Sequence, residues 1–442
     1  MNSSSETITW LHISDLHFRK SHDFNETIVL KELVRDVKSC IEQDGVTPDF
    51  IAVTGDIAFS GASSEYDLAR NFFDKLQEAT GVPREKLFIV PGNHDVDRKL
   101  ITGGAKAIGA SLTDRDKVNT FLVTPGDRHL IMERFKGYSD FFNDYFGGIQ
   151  AFDDENFFYV RAFDVGGRTI AVSGINSSWL AGPDEDRASG LVIGERQVRA
   201  ALDKVEQAGA DLSIAIMHHP FDWLREFDQN DSATLLLDKW DFILSGHLHK
   251  TSTTQLTDPD TNAMTITGGA CYEKREFPNT YNFVQLNPAA GKGTVHLRRY
   301  SDERVGFWVK DVMTYRNASD GKYEFSFQRS EPISGNVENG KDRVVVTRME
   351  PADKASGKSD LTGSVDNDTN PLPSTDTASV RRRVKELFDD TEFEDFCQDH
   401  FRDVYDKFGK GQGKNQKINI LMEHYGRSPA HKQKLLSELE KM

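Results

Sequence analysis

The chain has 442 residues, more than one ordinary domain holds, so two or three units are expected. Its formal net charge is −16, from 70 acidic and 54 basic side chains, which argues against a protein that holds nucleic acid through a broad basic surface. Cys40, Cys271 and Cys397 lie far apart with no C-x-x-C spacing, which reads as a reduced cytoplasmic protein, and the polar start Met1 to Thr7 predicts neither a signal peptide nor a membrane span.

In chain order, five apolar runs each end in a short polar block. Ile8 to Ile13 precedes Asp15-Leu16-His17, Phe50 to Val53 precedes Gly55-Asp56, and Leu87 to Val90 precedes Gly92-Asn93-His94-Asp95. Leu212 to Met217 precedes His218-His219-Pro220, and Phe242 to Leu244 precedes Gly246-His247-Leu248-His249. Runs of that length and β-branched content read as buried strands, and ligands of α/β sheets gather at the carboxyl ends of strands. Asp, His and Asn converging on one sheet edge make a mixed oxygen and nitrogen donor set. It suits divalent or trivalent first-row metals and holds no thiolate to favour a structural zinc. Between the runs, Val29, Leu33, Val37 and Ile41, then Leu68, Phe72, Phe73 and Leu76, then Val198, Leu202 and Val205 recur at helical spacing. The alternation implies a layered α/β core.

The order D-x-H, G-D, G-N-H-D, H-x-P and G-H-x-H resembles the calcineurin-like metallophosphoesterases over roughly the first two-thirds of the chain. The resemblance implies an α/β/β/α sandwich and a centre of two metal ions, manganese, iron or zinc. It places one ion on Asp15, His17, Asp56 and His249, and the second on Asp56, Asn93, His218 and His247. Asp56 would bridge, since a carboxylate has two oxygens. His94 would not bind metal but would face the leaving oxygen as the catalytic proton donor.

Six of the thirteen histidines fall inside the blocks, which sets them apart from ordinary surface or core histidines. His219 is expected to stand behind the ligands, and Asp95 to orient neighbouring groups. Asn176 reads either as a turn residue or as a substrate contact. His12 is left open, and the remaining histidines are read as ordinary.

A long insert, about residues 100–165, is rich in aromatics, including Phe141, Phe142, Tyr145, Phe146, Phe157, Phe158 and Tyr159. Two readings stand: a satellite apolar core, or a cap that gates the metal site. After Gly269 the pattern turns to extended segments at Tyr281 to Leu286, Thr294 to Tyr300, Gly306 to Val312 and Lys322 to Gln328. These strands are expected to complete the second sheet of a domain spanning residues 1–330.

Residues 331–379 are rich in Ser, Thr, Asp, Asn, Gly and Pro and read as a flexible linker. Apolar residues at helical spacing resume after Val380, including Phe388, Phe393, Phe396, Phe401, Val404, Ile418, Leu421 and Leu435, and imply a small all-helical domain over residues 380–442. Phe393-Glu394-Asp395-Phe396-Cys397, His400-Phe401, Val404-Tyr405 and Lys417-Ile418-Asn419-Ile420-Leu421 resemble bacterial effector-associated domains. Those are death-domain-like adaptors, so a protein partner through residues 380–442 is implied. Arg381, Arg382 and Arg383 read as a solvated helix start.

Together these features point to a metal-dependent phosphoesterase, foremost a phosphodiesterase acting on cyclic nucleotides or related phosphodiesters and recruited as an effector. The alternatives are a nuclease effector in bacterial defence and a protein phosphatase. An acidic chain can still act on nucleic acid, because a metal pair supplies concentrated positive charge where the phosphate sits.

Overall fold

A computed structural model describes residues 7–327 apart from 21–23, 150–151, 153–156, 184, 258–261, 274–277 and 304–305. Of the C-terminal part it describes residues 384, 388, 390–405, 408, 417–418, 420–422, 434–435, 437 and 439. The chain separates into two compact units, Met1–Lys341 and Asp342–Met442. The expected linker and the three arginines at 381–383 lie outside the described residues, as does Asn419.

In the first unit, β1 (Ile8–Ile13), β2 (Phe50–Val53) and β3 (Leu87–Ile89) run parallel, joined through α1 (Phe24–Asp44) and α2 (Ser63–Thr80). A second sheet starts with β4 (Phe158–Val165), antiparallel to β5 (Arg168–Ile175). It continues in parallel through β6 (Leu212–Ile216), β7 (Phe242–Ser245) and β9 (Asn262–Thr267), with β8 (Ser252–Thr257) antiparallel at its edge. Every residue of β1, β2, β6 and β7 is buried, as expected of strands covered on both faces.

The late strands correct one expectation. β10 (Thr280–Asn287), β11 (Lys292–Ser301), β12 (Phe307–Lys310) and β13 (Lys322–Ser326) extend the first sheet, not the second. β10 pairs antiparallel with the free edge of β1, with Thr9 opposite Gln285 and Leu11 opposite Phe283. The second sheet had already been completed by β8 and β9, strands that the sequence pattern does not announce. Their Thr, Gln and Asn content hides the alternation.

Strand periodicity divides the apolar residues between two cores. Trp10, Phe50, Ala52 and Phe88 from the first sheet meet Ile170, Val172, Ile214, Phe242 and Leu244 from the second, with no helical residue among them. The alternate positions, Leu11, Ile13, Ile51 and Val53, pack with Val29, Leu33 and Val37 of α1 and Phe73 and Leu76 of α2. One core therefore lies between the sheets and the other beneath the helices, which makes the α/β/β/α sandwich.

The insert contributes four helices, α3 (Gly103–Ser111), α4 (Arg115–Leu122), α5 (Pro125–Met132) and α6 (Lys136–Phe146). Its rings do not form a satellite. Phe141 stacks on Tyr66 of α2 at 5.1 Å, and Phe141, Phe142, Tyr145 and Phe146 belong to the same core as α1 and α2. α7 (Glu195–Gln207) covers the second sheet and contacts β4 and β5. No helix among the described residues is long and apolar enough to cross a membrane.

In the second unit, Val384, Phe388, Phe393, Phe396, Cys397, Phe401, Val404, Ile418, Leu421, Met422, Leu435 and Leu439 form one buried apolar cluster around the helix Asp390–His400. The helical spacing of the sequence thus becomes a shared core. Lys417 pairs with Glu394 across it.

One ion pair ties α1 to the extended sheet. Arg298 of β11 donates through Nε to Asp36 Oδ2 at 2.8 Å and through Nη2 to Oδ1, while the Tyr281 hydroxyl donates to Asp36 as well. Both charged side chains are nearly buried, 10% and 9% exposed. Asp36→Ala leaves a buried guanidinium without its partner and should lower stability by about 3–5 kcal/mol. Denaturant unfolding followed by tryptophan fluorescence measures this, and Asp36→Leu combined with Arg298→Met should recover most of the loss.

Candidate metal centre

The loops that carry the polar blocks are stitched together beyond the strand ends. Asp15 N donates to Gly55 O at 3.0 Å, and Leu16 N and His17 N donate to Asp56 O at 2.9 and 3.0 Å. This continues the parallel ladder past β1 and β2 while turning both chains sharply. Seven non-glycine residues among those described have left-handed backbone, and five of them are Asp15, His17, Asp56, His247 and His249, with φ between 51° and 69°. Such backbone persists in non-glycine residues only where the surroundings over-determine it, and it clusters at functional sites. The glycines of the blocks are needed for closeness. A Cβ on Gly92 would lie 2.0 Å from Asp56 Oδ1, and one on Gly55 would lie 2.5 Å from His218 Nδ1.

All seven expected ligands come together here. Asp56 Oδ2 lies 3.3 Å from His17 Nε2 and 3.3 Å from His218 Nε2. On one side, His249 Nε2 lies 3.2 Å from Asp15 Oδ1. On the other, Asn93 Oδ1 lies 3.0 Å from His218 Nε2 and 3.1 Å from His247 Nδ1. Among the described residues, four groups of side chains have donor atoms mutually within 4.8 Å and could hold a metal ion. They are Asp15, His17 and His249; Asp15, Asp56 and His218; His17, Asp56 and His94; and His218, His219 and His247.

The donor set calls for positive charge between its acceptors. His17 Nδ1 faces the Tyr272 carbonyl at 3.1 Å and His218 Nδ1 faces the Thr54 carbonyl at 2.7 Å. A carbonyl only accepts, so each Nδ1 carries the hydrogen and each neutral ring offers a lone pair at Nε2. Those lone pairs point at Asp56 Oδ2, itself an acceptor. Acceptors facing acceptors at 3.3 Å require either extra protons or a cation. Burial opposes charge on both rings, yet Asp56 and Asp15 lift His17 to about 9 and His218 to about 10. Burial likewise opposes charge on Asp15, but His249 and His218 hold its carboxyl at about 2, and Asp56 is held well below the usual range. The centre concentrates negative charge that a metal would neutralise.

His94 is half-buried at the rim. Its Nδ1 donates to the Phe59 carbonyl at 2.7 Å and its backbone N–H donates to Asp56 Oδ1 at 2.8 Å. Its ring stands 4.8 Å from that of His17. His219 is fully buried, with Nδ1 3.1 Å from Ser177 Oγ, and burial next to His247 and His218 keeps it neutral. Asp95 accepts from the backbone N–H of Ile57, Ala58 and Gly92 and from the Tyr66 hydroxyl, which fixes the loops around Asp56. Asn176 Oδ1 accepts from Ser178 N at 2.8 Å, the turn reading. His12 is a buried neighbour of Thr54, pushed down to about 3 by burial.

Three neighbours of the centre carry no sequence signal as strong as the blocks. Asp186 Oδ2 accepts from Asn93 Nδ2 at 2.9 Å and from Arg98 Nη2 at 3.0 Å, which turns the Asn93 carbonyl oxygen toward the histidines. Glu273 Oε2 lies 3.5 Å from His17 Nδ1 and 3.7 Å from His249 Nδ1. Trp223 stands with its ring 3.9 Å from that of His247. Glu273 follows β9, but the sequence pattern does not announce that strand, so the strand-end rule reaches none of the three.

The chain resembles known proteins in the same terms. The family model for calcineurin-like phosphoesterases matches residues 8–251, and the model for effector-associated domain 7 matches residues 380–441. An uncharacterized metallophosphoesterase-like protein of Bacillus subtilis, YydB, is 24% identical over 76% of this chain and 69% of its own length. The glycerophosphodiester phosphodiesterase GpdQ of Enterobacter lignolyticus is 36% identical over 85 residues, 19% of this chain and 28% of its own. Among solved structures, a purple acid phosphatase from yellow lupin (Lupinus luteus) is 13% identical with a TM-score of 0.40, over 68% of this chain and 53% of that one. A 5'-nucleotidase from Candida albicans is 14% identical with a TM-score of 0.34, over 63% of this chain and 46% of that one. The first of these family matches spans more than half of the 442 residues and includes every block from Asp15 to His249, so the chain belongs to the calcineurin-like phosphoesterases, metal-dependent phosphoester hydrolases with a dinuclear centre.

Proposed function

We propose that Asp15, His17, Asp56 and His249 hold one metal ion, that Asp56, Asn93, His218 and His247 hold the second, and that the centre hydrolyses phosphodiesters. The observation that carries this reading is Asp56 Oδ2, equidistant at 3.3 Å from a histidine of each group. Metal ions held by these residues would supply Lewis acidity, to acidify a water and neutralise the phosphoryl oxygens. The protein's own part is positioning. Asp56 aligns the two ligand groups, Asp186 fixes the Asn93 amide, and His94, steadied by the Phe59 carbonyl, hydrogen-bonds or protonates the leaving oxygen.

The local match to a glycerophosphodiester phosphodiesterase supports a diester over a monoester. The net charge of −16 supports small diesters, such as cyclic nucleotides, over long duplexes. The match at 380–441 supports a role as an effector recruited by another protein. That module also favours one second reading, a nuclease effector, which a steep loss of substrate binding with rising salt would single out. Buried, unpaired Cys40, Cys271 and Cys397 are compatible with a reducing cytoplasm.

Hydrolysis of bis(p-nitrophenyl) phosphate should disappear on exhaustive chelation and return with manganese; full activity with metal content confirmed as nil would overturn the reading. Asp56→Ala should lose both metals and turnover. His94→Ala should keep both metals, by elemental analysis, while kcat falls by about 10²–10⁴-fold. Equal metal loss in the two variants would make His94 a ligand instead. A chain ending after Phe327 should retain activity on this diester, since every proposed ligand precedes it; loss of metal in that truncated form would show that residues 328–442 support the site.

A further inference from the structure

Two arginines, Arg187 and Arg225, line a cleft and belong to segments that also touch the metal centre. The segment from Asp186 to Leu191 begins at Asn93, through the Asp186 carboxylate, and Arg187 is the next residue. This segment is bonded to another that begins at the centre. Ser189 N donates to Asp222 O at 3.1 Å, Gly190 N to Trp223 O at 3.0 Å, and Arg225 N to Leu191 O at 2.8 Å. Trp223 is the residue against His247. Arg187 and Arg225 therefore follow, by one and two positions, residues that touch side chains of the metal centre.

The cleft they line has a volume of about 680 Å³. Arg225 is held rigid, with Nε donating to Gly190 O at 3.1 Å and Nη1 to Leu112 O. These bonds fix the plane of its guanidinium, and none of them uses Nη2. Among the described residues, no carboxylate stands within ion-pair distance of Arg187 or Arg225. Glu226 also lines the cleft, and Glu185 acts on Arg225 from further away. Burial works most against the Arg225 cation; Glu185 favours it, Arg187 opposes it and Asp228 favours it, and a bound anion would add to the favourable side. Thr113 and Asn230 add neutral hydrogen-bonding groups, and Phe227 adds an aromatic surface. In a chain of net charge −16, two neighbouring unpaired guanidiniums do not belong to a general basic surface.

We propose that this cleft is a subsite for a second phosphate of the substrate, with Arg187 and Arg225 as its ligands. The preferred substrate is then a nucleotide phosphodiester carrying at least two phosphates, one at the metals and one in the cleft. Arginine suits this role because its planar fork donates two hydrogen bonds to phosphate oxygens. The inference rests on the phosphodiesterase reading above and narrows its substrate class.

The test compares one scissile bond with and without the extra charge. Dinucleoside monophosphates are assayed against the same dinucleotides carrying a terminal 5'- or 3'-phosphate, using the manganese-loaded full-length protein. The terminal phosphate at one end should raise kcat/KM by about 10-fold or more, chiefly through KM. Arg187→Ala and Arg187→Glu should bring that ratio to about one, and Arg187→Lys should retain part of it. Arg187 is exposed, so thermal melts should match wild type. A wild-type ratio of one at both ends, or a ratio unchanged in Arg187→Glu, overturns the subsite while leaving the phosphodiesterase reading intact. If no diester is hydrolysed, that reading fails, and equilibrium binding of a nucleoside 3',5'-bisphosphate decides the subsite alone: equal affinity for wild type and Arg187→Glu overturns it. A bisphosphate that binds through Arg187 while the substrate ratio stays at one makes the cleft a site for a free anion, which also overturns it.

Discussion

The structure is organised around the need to hold one buried carboxylate, Asp56, between two sets of lone pairs. Its Oδ2 faces His17 and His218 at equal distance, and its Oδ1 is occupied by the His94 backbone N–H. Bringing acceptors this close without a cation is unfavourable, and so is the left-handed backbone at Asp15, His17, Asp56, His247 and His249. Each such residue costs on the order of 1–3 kcal/mol. The sandwich can sustain that because the strands leading into these loops are buried along their whole length and locked in parallel register.

The same constraint explains the small residues around the centre. Gly92 packs against Asp56 and Gly55 against His218 at distances that leave no room for a side chain. Asp95 then collects three backbone N–H groups and a tyrosine hydroxyl, which freezes the loop that presents Asn93 and His94. Burial and Asp56 raise its carboxyl to about 6, so this loop is built from groups whose charge depends on the centre it surrounds. Rigidity of this sort serves catalysis by positioning, since the reacting groups need not reorganise during the reaction.

Charge is distributed unevenly on purpose of function rather than of fold. The chain is acidic overall, yet Arg98 reaches the carboxylate that contacts Asn93 of the centre. Arg98 shares the Asp186 carboxylate with Asn93, so the side chain that turns the metal-facing amide also holds a cation at the rim. The second unit has its own apolar core, centred on Phe393, Phe396 and Phe401.

Much of the centre was legible in the sequence because its residues follow strand ends directly. A strand buried on both faces reads as an unbroken apolar run, and the residue that leaves it is placed at the sheet edge by chain continuity alone. That local rule placed the five polar blocks at the sheet edge, and the family resemblance then singled out Asp15, His17, Asp56, Asn93, His218, His247 and His249 within them. It could not locate Asp186, in an irregular segment, or Trp223, in a short 3-10 turn, which meet Asn93 and His247, residues distant in sequence. Nor could it assign β10 to the edge of β1, because periodicity reports which face of a strand is apolar and says nothing of its partner. The aromatic insert shows the same limit: its composition announced a core, but only the stacking of Phe141 on Tyr66 decided that this core was the main one. Sequence alone determined the layers and the five polar blocks at the strand ends, since both follow from local pattern; tertiary structure decided sheet membership, the supporting carboxylates and the arginine cleft, since these depend on which distant segments meet.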